Sequence, residues 1–297
     1  MALKNILTKK NILRILLIIE NLFIISLLLY IVIKNLENFK ENFVFYFYTF
    51  DIFINENFSF LILALISVFL VINTHIILWK EIFQLNKIKL TYFQSLSLFS
   101  FIHFKRLFSP LGPISPILNI NNDLKFSTII YSIYIYFITL GSIIFFLLMI
   151  LILYPIIIIA VLGLIILGYF IIKNNLLKFL NISINKVVFS KLTISSFLNE
   201  FFSFLAYYFS LKLFTFQFNF FEALIIYFIW MLISSFFPFL YGSGTSELVV
   251  IILIHNLGYD SALFGLAIVF YRLIISYLPL LGLIFYKISY PQFKVDK

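Results

Sequence analysis

The sequence contains no cysteine and few charged residues. Among its 297 residues there is no Cys, and only 11% are Asp, Glu, Lys or Arg. The absence of thiols excludes disulfides, thiolate nucleophiles and cysteine-ligated metals. Soluble domains are about a quarter charged and about half apolar. The shortage of charge therefore argues against a soluble enzyme and against a disordered chain.

Apolar residues make up 63% of the sequence, and the mean hydropathy is +1.13. A chain of this composition cannot cover its surface with polar groups, which predicts an integral membrane protein. The net charge of +9 does not indicate nucleic-acid binding, because the positive residues cluster between apolar runs. That distribution is typical of the cytoplasmic loops of membrane proteins.

Six apolar runs are long enough to cross a bilayer, whose core of about 30 Å needs about 20 helical residues. They cover residues 12–33, 58–79, 126–149, 153–173, 190–213 and 261–286. Two further apolar stretches, 91–122 and 222–257, are interrupted by segments rich in Pro or Gly. Proline breaks helical hydrogen bonding, so each stretch is predicted to turn in its middle.

The lysine distribution predicts how these two interrupted stretches run. The loops 80–90 and 173–191 and the C-terminal residues are rich in Lys and are therefore predicted to be cytoplasmic. Full membrane crossings by 91–122 or 222–257 would place some of these lysines outside. Re-entrant hairpins that enter from opposite sides remove the conflict and leave both termini in the cytoplasm.

The predicted fold class is an all-α membrane protein with six transmembrane helices and two oppositely oriented re-entrant helical hairpins. Residues 1–297 form one membrane domain, in which the pseudo-halves 1–150 and 151–297 repeat the same layout with inverted orientation. Inverted repeats with Gly- or Pro-broken segments at equivalent positions indicate the central site of a transporter. An eight-helix bundle with ordinary kinks is the alternative that the pattern leaves open.

Five charged residues are predicted to lie near the membrane midplane. Counting 1.5 Å per residue from the ends of the helices gives this depth for Lys105, Arg106, Glu200, Glu247 and Arg272. Charges at that depth are costly and usually functional, so these residues are candidates for substrate binding. The three cations would bind a head-group phosphate, and the two glutamates would pair with them or carry a proton. The structural alternative is interhelical ion pairs, or snorkelling for the first two residues.

The second interruption adds three candidate substrate-binding residues. Gly242 and Gly244 permit a tight backbone, and Ser246 or its neighbour Thr245 can cap the following helix. A helix N-terminus attracts phosphate, and Glu247 in the first turn would compete with such a ligand. No catalytic residue, metal site or cofactor is predicted, because the three His are scattered and no phosphate-binding loop is present.

The segment 238–272 contains Pro238, Gly242-x-Gly244-x-x-Glu247, Gly265 and Tyr271-Arg272. In these residues it resembles the membrane domain of the lysylphosphatidylglycerol synthetase/flippase family. The resemblance implies translocation of a lipid with a polar head group. Synthetase members of the family carry a soluble aminoacyl-transferase domain that these residues could not supply, so lipid synthesis is not expected.

The expected function is that of a flippase-like transporter in the plasma membrane rather than an enzyme. Its substrate would be a phospholipid or aminoacyl-lipid that crosses through a midplane cavity. A membrane-embedded lipid-modifying transferase and an accessory subunit of a lipid or glycan synthesis system are the alternatives. A serine protease based on Ser243 lacks a recognisable His context. Membrane lipids are the expected partners, a homo-oligomer or a lipid-synthesis enzyme is a further candidate, and nucleic acid is not expected.

Overall fold

The computed structural model describes residues 52–108, 117, 124–153, 185–214, 217–236 and 245–285. These residues are 90% helical and contain no strand, which confirms the predicted all-α class. Their helices are α1 (Phe58–Leu85), α2 (Tyr92–Phe108), α3 (Leu124–Leu153), α4 (Lys186–Leu213), α5 (Phe220–Phe236), α6 (Thr245–Asn256), α7 (Ser261–Tyr277) and a 3₁₀ helix (Leu278–Phe285).

Three of the described helices are long and apolar enough to cross a membrane. They are α1, the Phe126–Met149 part of α3, and Leu263–Ile284, which joins α7 to the 3₁₀ helix. Three of the predicted runs thus correspond to helices that can span a bilayer. The run 190–213 is helical as well, within the more polar α4. The run 12–33 and nearly all of 153–173 lie outside the described residues.

One face of α1 exposes large apolar side chains at helical spacing. Ile62, Ile66, Phe69 and Ile77 are 42%, 50%, 60% and 45% exposed. Residues three or four positions apart lie on the same side of a helix. Apart from the half-buried Asn73 between Phe69 and Ile77, this face is apolar, which is costly in water and is matched to lipid.

The described residues form two compact units. Unit A comprises those within 1–61 and 209–269, and unit B those within 62–208 and 270–297. Unit A contains α5 and α6, whereas unit B contains α2, α3 and the 3₁₀ helix. The helices α1, α4 and α7 contribute residues to both units, because each passes a unit boundary.

Within unit B, α1 and α4 are antiparallel. The carboxylate of Glu81 lies 3.7 Å from the Nζ of Lys191, and the Oγ1 of Thr74 lies 3.0 Å from the Oδ1 of Asn199. The residue numbers of the contacts fall along α1 as they rise along α4. The end of α1 therefore lies level with the start of α4.

Helix α3 runs parallel to α4 in the same unit. The ring centroids of Phe137 and Phe189 are 5.4 Å apart, and those of Phe145 and Phe204 are 5.9 Å apart, so the contacts rise together along both helices. Since α1 is antiparallel to α4, it is also antiparallel to α3. The end of α1 and the start of α3 therefore lie on the same side of unit B.

Within unit A, α5 and α6 are antiparallel. The rings of Phe218, before α5, and Tyr259, after α6, are 4.7 Å apart, and Trp230 near the end of α5 contacts Ser246 at the start of α6. Helix α6 has 12 residues, which corresponds to about 18 Å. That length is shorter than the bilayer core of about 30 Å.

Side-chain caps set where three of the helices begin. Asn219 and Glu222 exchange hydrogen bonds between backbone N–H and side-chain oxygen, both 2.9 Å long, at the start of α5. Thr91 and Gln94 make the same reciprocal pair before α2. Asp260 accepts a bond of 3.2 Å from the third residue of α7. Such caps satisfy N–H groups that have no partner inside the helix.

The last apolar run changes its helical form before it ends. Proline at 279 has no N–H and its ring clashes with the carbonyl four residues earlier, so α7 ends at Tyr277 and a 3₁₀ helix follows. Gly282 packs closely on α2, because a Cβ at this position would overlap Ser100 and lie 3.1 Å from Leu96. The sequence predicted this run as one continuous helix.

Candidate functional site

Each unit contains a glutamate that is buried within an apolar environment. Glu200 is 4% exposed and belongs to unit B, whereas Glu247 is 8% exposed and belongs to unit A. Both were predicted as substrate-binding residues. A buried carboxylate is costly unless it is hydrogen-bonded, and in both cases a serine hydroxyl supplies such a bond.

Glu200 lies in the middle of α4 and contacts α3. The hydroxyl of Ser142 donates a hydrogen bond of 2.8 Å to its Oε2. The same hydroxyl lies 3.1 Å from the backbone carbonyl of Ile138. The neighbouring Gly141 faces Ser196, whose backbone a Cβ at this position would overlap. The glycine therefore allows α3 to approach α4 closely enough for Ser142 to reach the carboxylate.

Polar contacts link α1, α3 and α4 pairwise. Besides the contact of Ser142 with Glu200, Thr74 lies 3.0 Å from Asn199, and the Tyr134 hydroxyl lies 3.0 Å from the Nδ1 of His75. Hydrogen bonds between membrane helices contribute on average about 0.6 kcal/mol each. Their larger effect here is to fix the three helices around Glu200. We call this set the polar triangle: Thr74, His75, Tyr134, Ser142, Asn199 and Glu200.

Aromatic rings pack around the His75–Tyr134 contact. The ring of His75 stacks on Phe99 at 4.5 Å, and Trp79 stacks on Tyr134 at 4.3 Å. The Nε1 of Trp79 is buried and makes no hydrogen bond within the described part of the chain. These stacked rings hold the imidazole and the phenol in place.

Glu247 lies in the first turn of α6 and takes part in a chain of hydrogen bonds. The indole N–H of Trp230 donates to Ser246 Oγ at 3.2 Å, and the Ser246 hydroxyl donates to Glu247 Oε2 at 2.9 Å. The indole can only donate, so the direction of its bond to Ser246 is fixed. A carboxylate in the first turn is also favoured by the helix dipole. The chain of bonds thus anchors the start of α6 to α5.

Two of the predicted cationic residues, Lys105 and Arg272, lie on helices of unit B. Lys105 is half-buried on α2, with its Nζ 5.4 Å from the ring centre of Phe101, a cation–π distance. Arg272 is half-buried on α7. Its neighbour Tyr271 packs edge-on against Tyr207 of α4, with 5.7 Å between the ring centroids.

Several predicted positions lie outside the described residues. They are Gly242, Gly244 and the side chain of Arg106. Glu247 belongs to unit A and Arg272 to unit B, so their predicted pairing stays a prediction. In the described parts of the chain, no group of three or more His, Asp or Glu residues is placed to hold a metal ion.

The sequence analysis missed the partners of the two glutamates. Ser142, Trp230 and the Thr74–Asn199 contact were not among the candidates. Polar residues inside apolar helices are a usable signal for interhelical hydrogen bonds. The sequence does not say which helices meet, so these partners could not be assigned.

Comparison of the chain with protein-family models, with curated proteins and with solved structures finds no match. The described residues offer two buried carboxylates, each hydrogen-bonded by a serine hydroxyl. An ionised carboxylate in such a place attracts a cationic group.

Proposed function

We propose that the protein is a flippase-like transporter that moves a lipid with a polar head group between the leaflets of the plasma membrane. The observation that carries the proposal is the burial of Glu200 and Glu247, each bonded by a serine hydroxyl. Intramembrane carboxylates are costly and commonly mark transport pathways. The resemblance of 238–272 to a flippase domain supports the same function.

Helix directions support the six-span topology with two re-entrant hairpins. The end of α1 and the start of α3 lie on the same side of unit B, which favours a re-entrant path for 91–122 over a single crossing. The antiparallel α5–α6 pair, whose second arm is only about 18 Å long, favours the same for 222–257. In this topology both termini lie in the cytoplasm.

The proposed substrate is an anionic or zwitterionic lipid. Lys105, Arg106 and Arg272 would bind its phosphate, and Gly242, Gly244 and Ser246 are further candidate binding residues. Glu200 and Glu247 would balance these cations or bind a cationic part of the head group. Arginine matches phosphate geometry with several N–H donors, and the glutamates add preference for amine-bearing head groups such as aminoacyl-lipids.

Leaflet exchange in reconstituted vesicles tests the proposal. The protein would be placed in liposomes that carry a fluorescent phospholipid, a polyprenyl-phosphate lipid or an aminoacyl-lipid, and an impermeant reductant would bleach the outer leaflet. We expect at least one probe to be bleached beyond its initial outer-leaflet fraction, without ATP. Bleaching equal to that of protein-free vesicles for all three probes contradicts transport.

A lipid-modifying transferase is the second candidate, because the same Glu and Arg residues could act on a bound head group. Mass spectrometry of the vesicle lipids after incubation separates the two functions. Accumulation of a new lipid species without faster leaflet exchange would favour the transferase. Unchanged lipids with faster exchange support the transporter.

A further inference from the structure

We propose that Glu200 is a proton-binding site that exchanges a proton during transport, with Ser142 as its reversible hydrogen-bond partner. The role in transport rests on the proposed function, whereas proton binding by Glu200 can be measured separately. The ligand is thus a proton, held within unit B at the junction of α1, α3 and α4.

The hydroxyl of Ser142 has one proton and two acceptors within reach. Glu200 Oε2 lies at 2.8 Å and the carbonyl of Ile138 at 3.1 Å. When Glu200 is ionised, Ser142 donates to the carboxylate. When Glu200 is protonated, its own O–H donates to Ser142 Oγ, and the serine proton turns to the Ile138 carbonyl. A hydroxyl can act as donor and acceptor at once, so rotation about one C–O bond satisfies both states.

The adjacent contact differs from this one. The single hydroxyl proton of Thr74 can serve the carbonyl of Val71 at 2.7 Å or Asn199 Oδ1 at 3.0 Å. An amide oxygen only accepts, so Thr74 joins α1 to α4 only while it donates to Asn199. The contact of Ser142 with Glu200 is therefore the one that can be kept in both charge states.

Gly141 and Ser196 hold the site at the required distance. A Cβ at Gly141 would overlap the backbone of Ser196, so the absence of a side chain brings α3 close to α4 beside Glu200. The hydroxyl of Ser196 donates to the carbonyl of Leu192 at 2.8 Å. It therefore does not compete with Ser142 for the carboxylate.

Other titratable or charged groups lie on the described elements of unit B that pack against α4. They are His75, Lys80 and Glu81 on α1, Tyr131, Tyr134 and Tyr136 on α3, Tyr271, Arg272 and Tyr277 on α7, and Lys186, Lys191, Tyr207 and Tyr208 on α4 itself. Tyr, Lys and Arg ordinarily titrate at about pH 10 or above, and Glu81 lies beside Lys191. Histidine ordinarily titrates between about pH 5 and pH 8, so His75 is the group that a test must separate from Glu200.

Infrared spectroscopy of the reconstituted full chain tests proton binding directly. As the pH falls, we expect the carbonyl band of a protonated carboxyl to appear. The part of this band that belongs to Glu200 should be missing in Glu200→Gln and present in His75→Asn and Glu222→Gln, since Glu222 is a capping residue in unit A. A titrating band of equal size in the wild type and Glu200→Gln, or the absence of any such band, overturns the proposal.

Two further measurements keep the outcome decisive. Ser142→Ala should move the midpoint of the band to higher pH by about one unit, because hydrogen bonds to a charged group are worth more than those to a neutral one. An unchanged midpoint contradicts the role of Ser142.

An imposed pH gradient should change the leaflet-exchange rate of the wild type but not of Glu200→Gln. If the band titrates and no lipid moves, the transport function fails and the proton site stands. If lipid moves and no band titrates, the proton site fails alone.

Discussion

Single hydroxyl protons determine the environment of both buried glutamates. Ser142 can turn between Glu200 and a backbone carbonyl, so its bonding can follow a change of charge. Ser246 also accepts a bond from the indole of Trp230 while its own proton serves Glu247. The two glutamates are thus bonded by the same residue type, with a second partner that accepts at Ser142 and donates at Ser246.

Removal of the Ser246 hydroxyl should destabilise unit A. Ser246→Ala leaves the Trp230 N–H and the Glu247 carboxylate without this bond inside the protein. Loss of a partner for buried polar groups costs about 1–3 kcal/mol. Denaturant unfolding in detergent measures the change, and Ser59→Ala, at an exposed position of α1, is the matched control. Equal unfolding free energies for the two variants would contradict the chain of hydrogen bonds.

The predicted pairing of Glu247 with Arg272 is testable by a double-mutant cycle. Glu247→Gln and Arg272→Met should each lower stability and transport, because an uncompensated charge inside the membrane costs several kcal/mol. Exchange of the two charges should restore part of the stability but not transport, since a basic residue would then occupy the first turn of α6. Strictly additive effects on the free energy of unfolding would refute the pairing.

At the scale of elements, hydrophobicity predicted where three membrane helices lie but not where they end. The predicted runs 58–79 and 126–149 lie within the longer helices α1 and α3, because a helix continues beyond the apolar run where the next residues still favour helical structure. The helices α5 and α6 lie on either side of the predicted interruption in 222–257, and residues 237–244 between them lie outside the described residues. The 3₁₀ helix was missed, since Pro279 indicates a break without saying how the chain continues.

The close contact of α3 with α4 predicts unequal effects of two alanine substitutions. Gly141→Ala should destabilise the protein by about 1–3 kcal/mol, because the new methyl group must push the backbone of Ser196 away. Gly265→Ala is the matched control, since its nearest neighbour, Ile251 Cδ1, lies at an ordinary contact distance of 3.7 Å. Thermal unfolding in the same detergent compares the two. Equal melting temperatures would mean that the helices do not approach as described.

Membrane sidedness follows from the antiparallel direction of α1 and α4. Single cysteines can be introduced into this cysteine-free chain at the exposed positions Gln84, Lys186 and Gln217. We expect an impermeant thiol reagent applied to intact cells to label only the variant at 217. The other two should react only after permeabilisation. Labelling of 84 and 186 from opposite sides would contradict the helix directions and the re-entrant topology.

For the whole molecule, sequence and structure agree on a helical membrane protein with carboxylates inside it. Counting residues from helix ends predicted Glu200 and Glu247 inside the membrane, because helical rise converts sequence distance into depth, and the structure buries both side chains within the protein. Their serine partners depend on which helices meet, and this depends on tertiary packing such as the Gly141–Ser196 contact. The polar triangle therefore became visible only in the structure.

The central claim, that buried carboxylates serve lipid movement, is tested most directly by the leaflet-exchange rate of three proteins in one vesicle preparation. These are the wild type, Glu247→Gln and Glu222→Gln, the last at the cap of α5. We predict that Glu247→Gln exchanges lipid at least tenfold more slowly than the wild type, a factor that corresponds to about 1.4 kcal/mol. Glu222→Gln should exchange lipid at the rate of the wild type. Equal exchange by the wild type and a correctly folded Glu247→Gln would contradict the claim.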